Sequence, residues 1–113
     1  MAAKSPRAKR NRKRQAKAYR ERNRVSAKDK LLRHKYGISI EIRDGILIGQ
    51  GSCCAICLTG TPHKTRDWAV DHCHVSGKVR GVLCHRCNVG LGMLQDSPIF
   101  LRRAAEYLEV AHG

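Results

Sequence analysis

Residues 70–88 read VDHCHVSGKVRGVLCHRCN and place three histidines, three cysteines, an aspartate and an asparagine in nineteen positions. The stretch ends in a pair of cysteines with two residues between them, and a second pair of this spacing lies upstream. Each pair can hold one metal ion, and the 26 residues between the pairs can fold back to bring them together. Four thiolates in a closed site favour zinc. The spacing therefore predicts a structural zinc site formed by Cys54, Cys57, Cys84 and Cys87.

Two other cysteines lie close to these pairs. Cys53 competes with Cys54 for one ligand position, and only the two-residue spacing favours Cys54. Cys73 falls inside a predicted strand, and we expect it to lie outside the site. Disulfides are the alternative, but the N-terminal segment has no apolar stretch typical of a signal peptide, and no run is long enough for a membrane span. We therefore expect a reducing, cytoplasmic location, which favours metal binding over disulfides.

The basic charge lies almost entirely in the N-terminal third of the chain. The formal net charge is +14, and residues 1–37 carry fifteen Lys or Arg against two acidic residues. We expect residues 1–36 to form an arm, disordered or helical, that neutralises nucleic-acid phosphates, although such a run can also be merely solvated. The candidate nucleic-acid contacts in this arm are Arg10, Arg12, Lys13 and Arg14.

Capping and turn residues predict short elements along the rest of the chain. Ser26 and Gly37 would bound a first short helix, and Ser39 would cap a second. A leucine and alanine stripe in the last helix indicates packing. The predicted elements are a helix over 40–49, a β-hairpin of strands 68–72 and 79–83, a helix after Cys84 and a helix beginning at Ser97-Pro98.

A zinc site leaves several polar residues of the opening stretch unexplained. His72 could act as a general base, since a neutral imidazole accepts a proton near physiological pH. Asp71 and Asn88 offer hard oxygen ligands that suit a magnesium ion bound to a substrate phosphate. Arg80 on the facing strand could contact that phosphate. Neighbouring strand side chains leave opposite faces, so Asp71 and His72 meet only if the strand is distorted.

The order of these motifs resembles the HNH, or ββα-metal, nucleases, and among them the phage recombination endonuclease VII group. The resemblance covers roughly residues 35–108, from KYGIS through GQGSCCAIC and VDHCHVSGKVRGVLCHRCN to LRRAAEYL. It implies that His72 is the general base and that Asp71 and Asn88 hold a divalent ion, Mg²⁺ or Mn²⁺. It also implies zinc at the cysteine pairs, and makes His74 a secondary candidate for substrate or metal contact. The family often has an acidic residue where this chain has Cys73.

The sequence thus predicts a small α+β protein with a zinc-stapled ββα-metal core over residues 37–113, flanking helices and a basic N-terminal arm. The implied activity is hydrolysis of double-stranded or branched DNA, leaving 5′-phosphate and 3′-hydroxyl ends, in the host cytoplasm if the chain is phage-encoded. No membrane partner is expected. A homodimer, and phage packaging or recombination proteins as partners, stay open. The alternative is a non-catalytic zinc-knuckle protein that binds nucleic acid.

Overall fold

The computed structural model describes residues 6–112, which divide into two compact units with a boundary between Ile42 and Arg43. The protein is a small α+β protein with four helices and one two-stranded sheet in this described range. Within the same range, no helix combines the length and apolar character needed to cross a membrane.

Residues 6–36 of the predicted basic arm form one continuous helix, α1 (Pro6–Tyr36), and residues 1–5 lie outside the described range. The predicted helix start at Ser26 is wrong, because Ser26 lies inside α1. The Ala, Arg, Lys and Gln residues upstream have high helix propensity, and the pairs Glu21–Arg24 and Asp29–Arg33 relieve part of the self-repulsion. The predicted stop at Gly37 is confirmed: it has φ of 70°, and its N–H donates to the Arg33 carbonyl at 3.0 Å.

The second helix, α2, covers Ile40–Gly49 as predicted. The hydroxyl of Ser39 accepts a hydrogen bond from the Ile42 N–H at 3.2 Å, which confirms the predicted cap. Further along α2, the buried side chain of Arg43 donates to Asp44 at 2.8 Å and to Asp67 at 2.7 Å. The second of these ion pairs ties α2 to the residues that lead into the hairpin.

The hairpin consists of β1, Ala69–His72, and β2, Val79–Leu83, paired antiparallel. The prediction placed the start of β1 one residue too early. The register pairs Asp71 with Gly81 and then His72 with Val79, so Arg80 has no partner on β1. This irregularity is a bulge in β2, and a bulge locally suspends the alternation of side chains.

The predicted helix after Cys84 is confirmed as α3, His85–Met93, and the last helix as α4, Pro98–His112. Ser97 caps α4 by accepting from the Phe100 N–H at 3.1 Å. The predicted packing role of the α4 stripe holds only for its first half: Leu101 and Ala104 are half-buried, whereas Ala105 is exposed and Leu108 is 55% exposed.

The core of the second unit is small, and two cysteines join Val70, Val82 and Leu83 in it. Cys54, Leu83 and Cys84 are buried together, and the side chains packed against them are Trp68, Cys87 and Leu91. A core this small stabilises a fold weakly by apolar burial alone. A metal ion bound to these cysteines would therefore add a large share of the stability.

Candidate functional site

The four cysteines of the two pairs form one cluster. Their sulfur atoms all lie within 4.8 Å of one another, and the Cys57 and Cys84 sulfurs are 3.6 Å apart. Tetrahedral zinc with bonds of about 2.3 Å places its sulfur ligands about 3.8 Å from one another. The sulfur spacing and the all-thiol donor set therefore fit a structural zinc ion, as the sequence predicts.

Local backbone hydrogen bonds shape both halves of this cluster. In the first pair, the Cys54 N–H donates to the Thr59 carbonyl at 2.9 Å, and the Leu58 N–H donates to the Cys54 carbonyl at 3.1 Å. Leu58 has φ of 64°, which closes this tight loop. In the second pair, Cys84 caps α3 and its sulfur accepts from the Cys87 N–H at 3.5 Å. The sequence spacing thus becomes a fixed geometry at both pairs.

The structure separates Cys54 from its neighbour Cys53. Cys54 is fully buried in the cluster, whereas the Cys53 thiol donates to the Gln50 carbonyl at 3.1 Å. Among the described residues, Cys73 also lies outside the cluster, and its sulfur accepts from the Ser76 N–H at 3.5 Å. Cys54 is therefore the cysteine of the adjacent pair that is placed to bind a metal ion.

The thiols of the cluster differ in acidity. Burial raises the pKa of Cys54, but hydrogen bonds from the backbone at Cys84, Cys57 and Ile56 outweigh it and lower this pKa to about 6. Burial and the neighbouring thiols raise the pKa of Cys87 to about 12. Negative charge on one sulfur thus disfavours charge on the next, and a bound cation would remove that conflict.

A second group of polar side chains gathers where the hairpin meets the turn after α3. The guanidinium of Arg80 donates to both carboxylate oxygens of Asp71, at 2.8 and 2.9 Å, and to Asp96 at 3.2 Å. The Asp71 contact raises the pKa of Arg80 above its usual value, so the guanidinium stays charged. Because Arg80 is the bulged residue of β2, its side chain can reach the face on which Asp71 lies.

Two histidines extend this group. His74 Nε2 lies 3.2 Å from a carboxylate oxygen of Asp96, and the rings of His72 and His74 have centroids 4.9 Å apart. The contacts therefore run from one residue to the next in a chain. We call this chain the hairpin-end network, and its members are Asp71, Arg80, Asp96, His74 and His72.

The hairpin-end network borders an open cavity of about 460 Å³. The cavity is large enough for a phosphate group and its neighbouring sugar. Its wall combines a guanidinium, a carboxylate and an imidazole with small or uncharged residues of the α3 end. The lining residues are Cys73, His74, Val75, Arg80, Gly92, Gln95 and Asp96.

The structure thus brings together four of the residues that the sequence singled out, Asp71, His72, His74 and Arg80. Asn88 lies on α3, and its N–H donates to the Cys84 carbonyl at 3.1 Å. Within the described residues, the hydrogen bonds and ring contacts of the network do not reach the Asn88 side chain. The sequence is therefore the support for the metal-ligand role expected for Asn88, and the described contacts of the network do not add to it.

Asp96 is the member of the network that the sequence analysis missed. It follows Gln95 in a turn where both residues have positive φ, 60° and 53°, directly before the cap of α4. Aspartate tolerates this left-handed backbone better than most residues. The available signal was an aspartate just before the Ser-Pro helix start, but that signal also fits an ordinary turn.

Gln50 links the backbone of Cys53, the residue before the cluster, to the hairpin, and it was also missed. Its side-chain amide donates to the Cys53 carbonyl at 3.0 Å and to the Val82 carbonyl at 2.9 Å, and accepts from the Val82 N–H at 2.9 Å. A Cβ atom on Gly81 would lie 3.0 Å from the Gln50 oxygen. A side chain at position 81 would therefore require the hydrogen-bonded Gln50 oxygen to shift by a few tenths of an ångström.

The candidate arm residues Arg10, Arg12, Lys13 and Arg14 are all exposed on α1. They lie in the first compact unit, whereas the cysteine cluster and the hairpin-end network lie in the second.

Comparison with known proteins adds an independent finding. The family model for recombination endonuclease VII matches residues 29–110. The Gene 59 protein of Mycobacterium phage L5 is 43% identical over 74 residues, and the Gene 59 protein of Mycobacterium phage D29 is 42% identical over 74 residues. Each alignment covers 65% of this chain and 44% of the relative, so the chain spans less than half the length of these relatives. No solved structure matches the chain.

The matched segment contains both cysteine pairs and every member of the hairpin-end network, and it covers well over half of the chain. This extent is what separates a shared family from a shared metal-binding motif. The chain belongs to the recombination endonuclease VII family.

Proposed function

We propose that the chain is a metal-dependent DNA endonuclease of the HNH, or ββα-metal, type, with its active centre at the hairpin-end network. The observation that carries the proposal is the continuous contact from Asp71 through Arg80, Asp96 and His74 to His72. The three middle members of this chain also line an open cavity. A nuclease needs a base, a phosphate-binding cation and a carboxylate in one place. Family membership supports the same activity.

His72 is the proposed general base. A neutral imidazole can take a proton from the attacking water as that water approaches phosphorus. The neighbouring His74 ring limits how the His72 ring can turn, and His74 is itself held by Asp96. In this arrangement His74 and Asp96 are positioning residues for the base.

Arg80 is the proposed phosphate contact. Its described hydrogen bonds use Nε and Nη2, so in the described part of the chain Nη1 makes none of the contacts to Asp71 or Asp96. A guanidinium has five N–H donors, and two of them belong to Nη1. Arg80 can therefore bind a phosphate oxygen while both carboxylates keep its side chain in place.

Asp71 and Asn88 are the proposed ligands of a divalent ion, Mg²⁺ or Mn²⁺. Both oxygens of Asp71 accept from Arg80, but a carboxylate offers about four lone-pair sites, so an ion can share it. The donor chemistry fits a hard cation, and Asn88 on α3 would need to turn its amide oxygen toward Asp71. When bound, the ion polarises the phosphoryl group and stabilises charge on the leaving oxygen. The expected products carry 5′-phosphate and 3′-hydroxyl ends.

The cysteine cluster is the proposed scaffold of this centre. Zinc bound there would fix the first turn of α3 and, through Gln50, the edge of β2. Structural zinc contributes folding free energy directly, which suits a core of this size. Family membership also supports the resolution of branched DNA as the activity of this centre.

A non-catalytic zinc protein that binds nucleic acid is the second candidate. It is favoured by the Asp71–Arg80 pair, which occupies the carboxylate that an ion would need. It is also favoured by the position of Asn88 outside the network contacts. Such a protein would keep its zinc and bind DNA without cutting it.

Cleavage assays separate the two candidates. Zinc-loaded protein is incubated with supercoiled plasmid and with a four-way DNA junction, with Mg²⁺ or without added divalent ion. We expect Mg²⁺-dependent cleavage that falls about 10²–10⁴-fold in His72→Ala, as loss of a general base implies. His63→Ala is the matched control, because His63 is exposed and contacts Thr65 and His85 outside the network. Cleavage that is equal in His72→Ala would contradict the assignment, and no cleavage at all would favour the binding protein.

A further inference from the structure

The basic residues of α1 are distributed unevenly around the helix. Positions 7, 10, 14, 17, 21, 24 and 28 are separated by alternating steps of three and four residues, so they share one face. This face is basic at every position except Glu21, which is paired with Arg24. We call it the basic stripe, and its cationic members are Arg7, Arg10, Arg14, Lys17, Arg24 and Lys28.

The opposite face of α1 carries far less charge. Arg12 and Lys30 lie there, about half a turn away from Arg10 and Lys28, with Asn23, Ala16 and Tyr19 between them. Cations are therefore denser on the side of the stripe, where Lys9, Lys13 and Arg20 flank it, than on the far side, which also carries Arg33. A helix whose charge served only solubility would have no need of this asymmetry.

The part of the chain that packs on α1 leaves the N-terminal half of the basic stripe open. Asp29 accepts a hydrogen bond from the Ile40 N–H at 2.8 Å and pairs with Arg33 at 2.8 Å. A cavity of about 370 Å³ between α1 and the first turn of α2 is lined by Glu21, Arg22, Val25, Ser26, Asp29, Ile40 and Glu41. Most of these α1 residues lie to one side of the stripe. Arg7, Arg10, Arg14 and Lys17 remain exposed.

The first half of the stripe also borders an open concavity. Arg7, Arg10, Asn11 and Arg14 surround a concavity of about 320 Å³. A phosphate group in this position would meet guanidinium groups from two successive helical turns. Arginine suits this role because its planar group binds phosphate through two N–H donors.

We propose that the basic stripe binds along the phosphates of a nucleic-acid duplex, with α1 docked by this one face. The helix has 31 residues and is about 46 Å long, and the major groove of DNA is about 12 Å wide, enough to admit an α-helix. The contacts are to phosphates, so they supply affinity without sequence preference. This proposal rests on the proposed nucleic-acid substrate, and it places Arg10 and Arg14 at the duplex while it places Arg12 away from it.

Duplex binding by two variants of equal charge tests the proposal. Arg10→Ala/Arg14→Ala removes two stripe residues, and Arg12→Ala/Lys30→Ala removes two cations from the opposite face. Alanine is the best helix former, so both variants should keep α1, which circular dichroism checks. Binding of a fluorescent 20-base-pair duplex by the full chain is measured without added divalent ion, from 50 to 200 mM salt.

Each phosphate contact contributes about 0.9 to the slope of log affinity against log salt. At 0.1 M salt, relative to 1 M, this is about eightfold in affinity for each contact. We expect the stripe variant to bind on the order of fifty-fold more weakly and to lose about 1.8 of the slope. The opposite-face variant should stay close to the wild type. Equal losses in the two variants, or no loss in either, would overturn the proposal, as would tighter binding of a single strand of the same length.

The same assay keeps this proposal separate from the proposed catalysis. It contains no added divalent ion and measures binding alone, and His72→Ala should bind as the wild type does. If the protein cuts no DNA but only the stripe variant loses affinity, the stripe proposal stands and the nuclease proposal fails. If the protein cuts DNA but both variants lose affinity equally, the nuclease proposal stands and the stripe proposal fails.

Discussion

The cysteine cluster and the hairpin-end network lie in the same compact unit but are specified in different ways. The cluster is made by two short spacings, and the backbone within each pair closes it locally. The network joins residues that are up to 25 positions apart and depends on a bulge at Arg80 and a left-handed turn at Asp96. A site formed by local spacing can be recognised from sequence, whereas a site formed by distant irregularities needs the structure.

The largest effect is expected from a substitution that removes one ligand of the cysteine cluster. Cys54→Ser removes a buried ligand, and since structural zinc contributes about 10–16 kcal/mol of apparent binding free energy in small domains, we expect the second unit to lose zinc and unfold. Cys53→Ser is the matched control, because serine can still donate to the Gln50 carbonyl. Elemental analysis should find about one zinc per chain in the control. Thermal melting should show a folded unit only where zinc is retained. Zinc retained in Cys54→Ser at the wild-type level would contradict the assignment of the cluster.

A smaller effect tests the link between the two regions. Gly81→Ala places a Cβ atom 3.0 Å from the Gln50 oxygen, so the side chain that joins the cluster to β2 must move. We expect a loss of about 1–3 kcal/mol in the free energy of unfolding, measured by denaturant titration of the zinc-loaded chain. Gly45→Ala is the control, since nothing lies within 4 Å of its Cβ position in α2, and alanine there should be neutral or stabilising. Equal stability of the two variants would show that Gln50 does not depend on Gly81.

The smallest effect is expected from a substitution that weakens the hairpin-end network and leaves the cysteine cluster unchanged. Asp96→Asn keeps the left-handed backbone but removes the charge that holds Arg80 and His74. We expect DNA cleavage to fall roughly tenfold, through kcat more than KM, as loss of about 1.4 kcal/mol in the transition state implies. Zinc content and melting temperature should change little, because these pairs are partly exposed. Glu106→Gln on α4 is the control, and equal kinetics in the two variants would remove Asp96 from the site.

The successes of the sequence analysis share one physical cause. Helix caps at Ser39 and Ser97, the stop at Gly37 and the cysteine pairs are all interactions within a few residues, which residue type and spacing determine. The hairpin was predicted within one residue for the same reason.

The features that the sequence did not predict are those that depend on distant parts of the chain or on the surrounding helix. Ser26 is a common helix cap, but the surrounding propensity continues α1 through it. Gln50, Arg43 and Asp96 each have a partner that is distant in sequence, and nothing near these residues indicates that contact. The half-exposed stripe of α4 shows that an apolar pattern predicts a face and not what covers it.

The most direct test of the account measures zinc and cleavage on one preparation of His72→Ala. If the thiols serve structure and the imidazole serves chemistry, this variant should hold about one zinc per chain, melt as the wild type does and cut plasmid DNA about 10²–10⁴-fold more slowly. A His72→Ala protein that cuts as fast as the wild type, or that loses its zinc together with its activity, would contradict this division of roles.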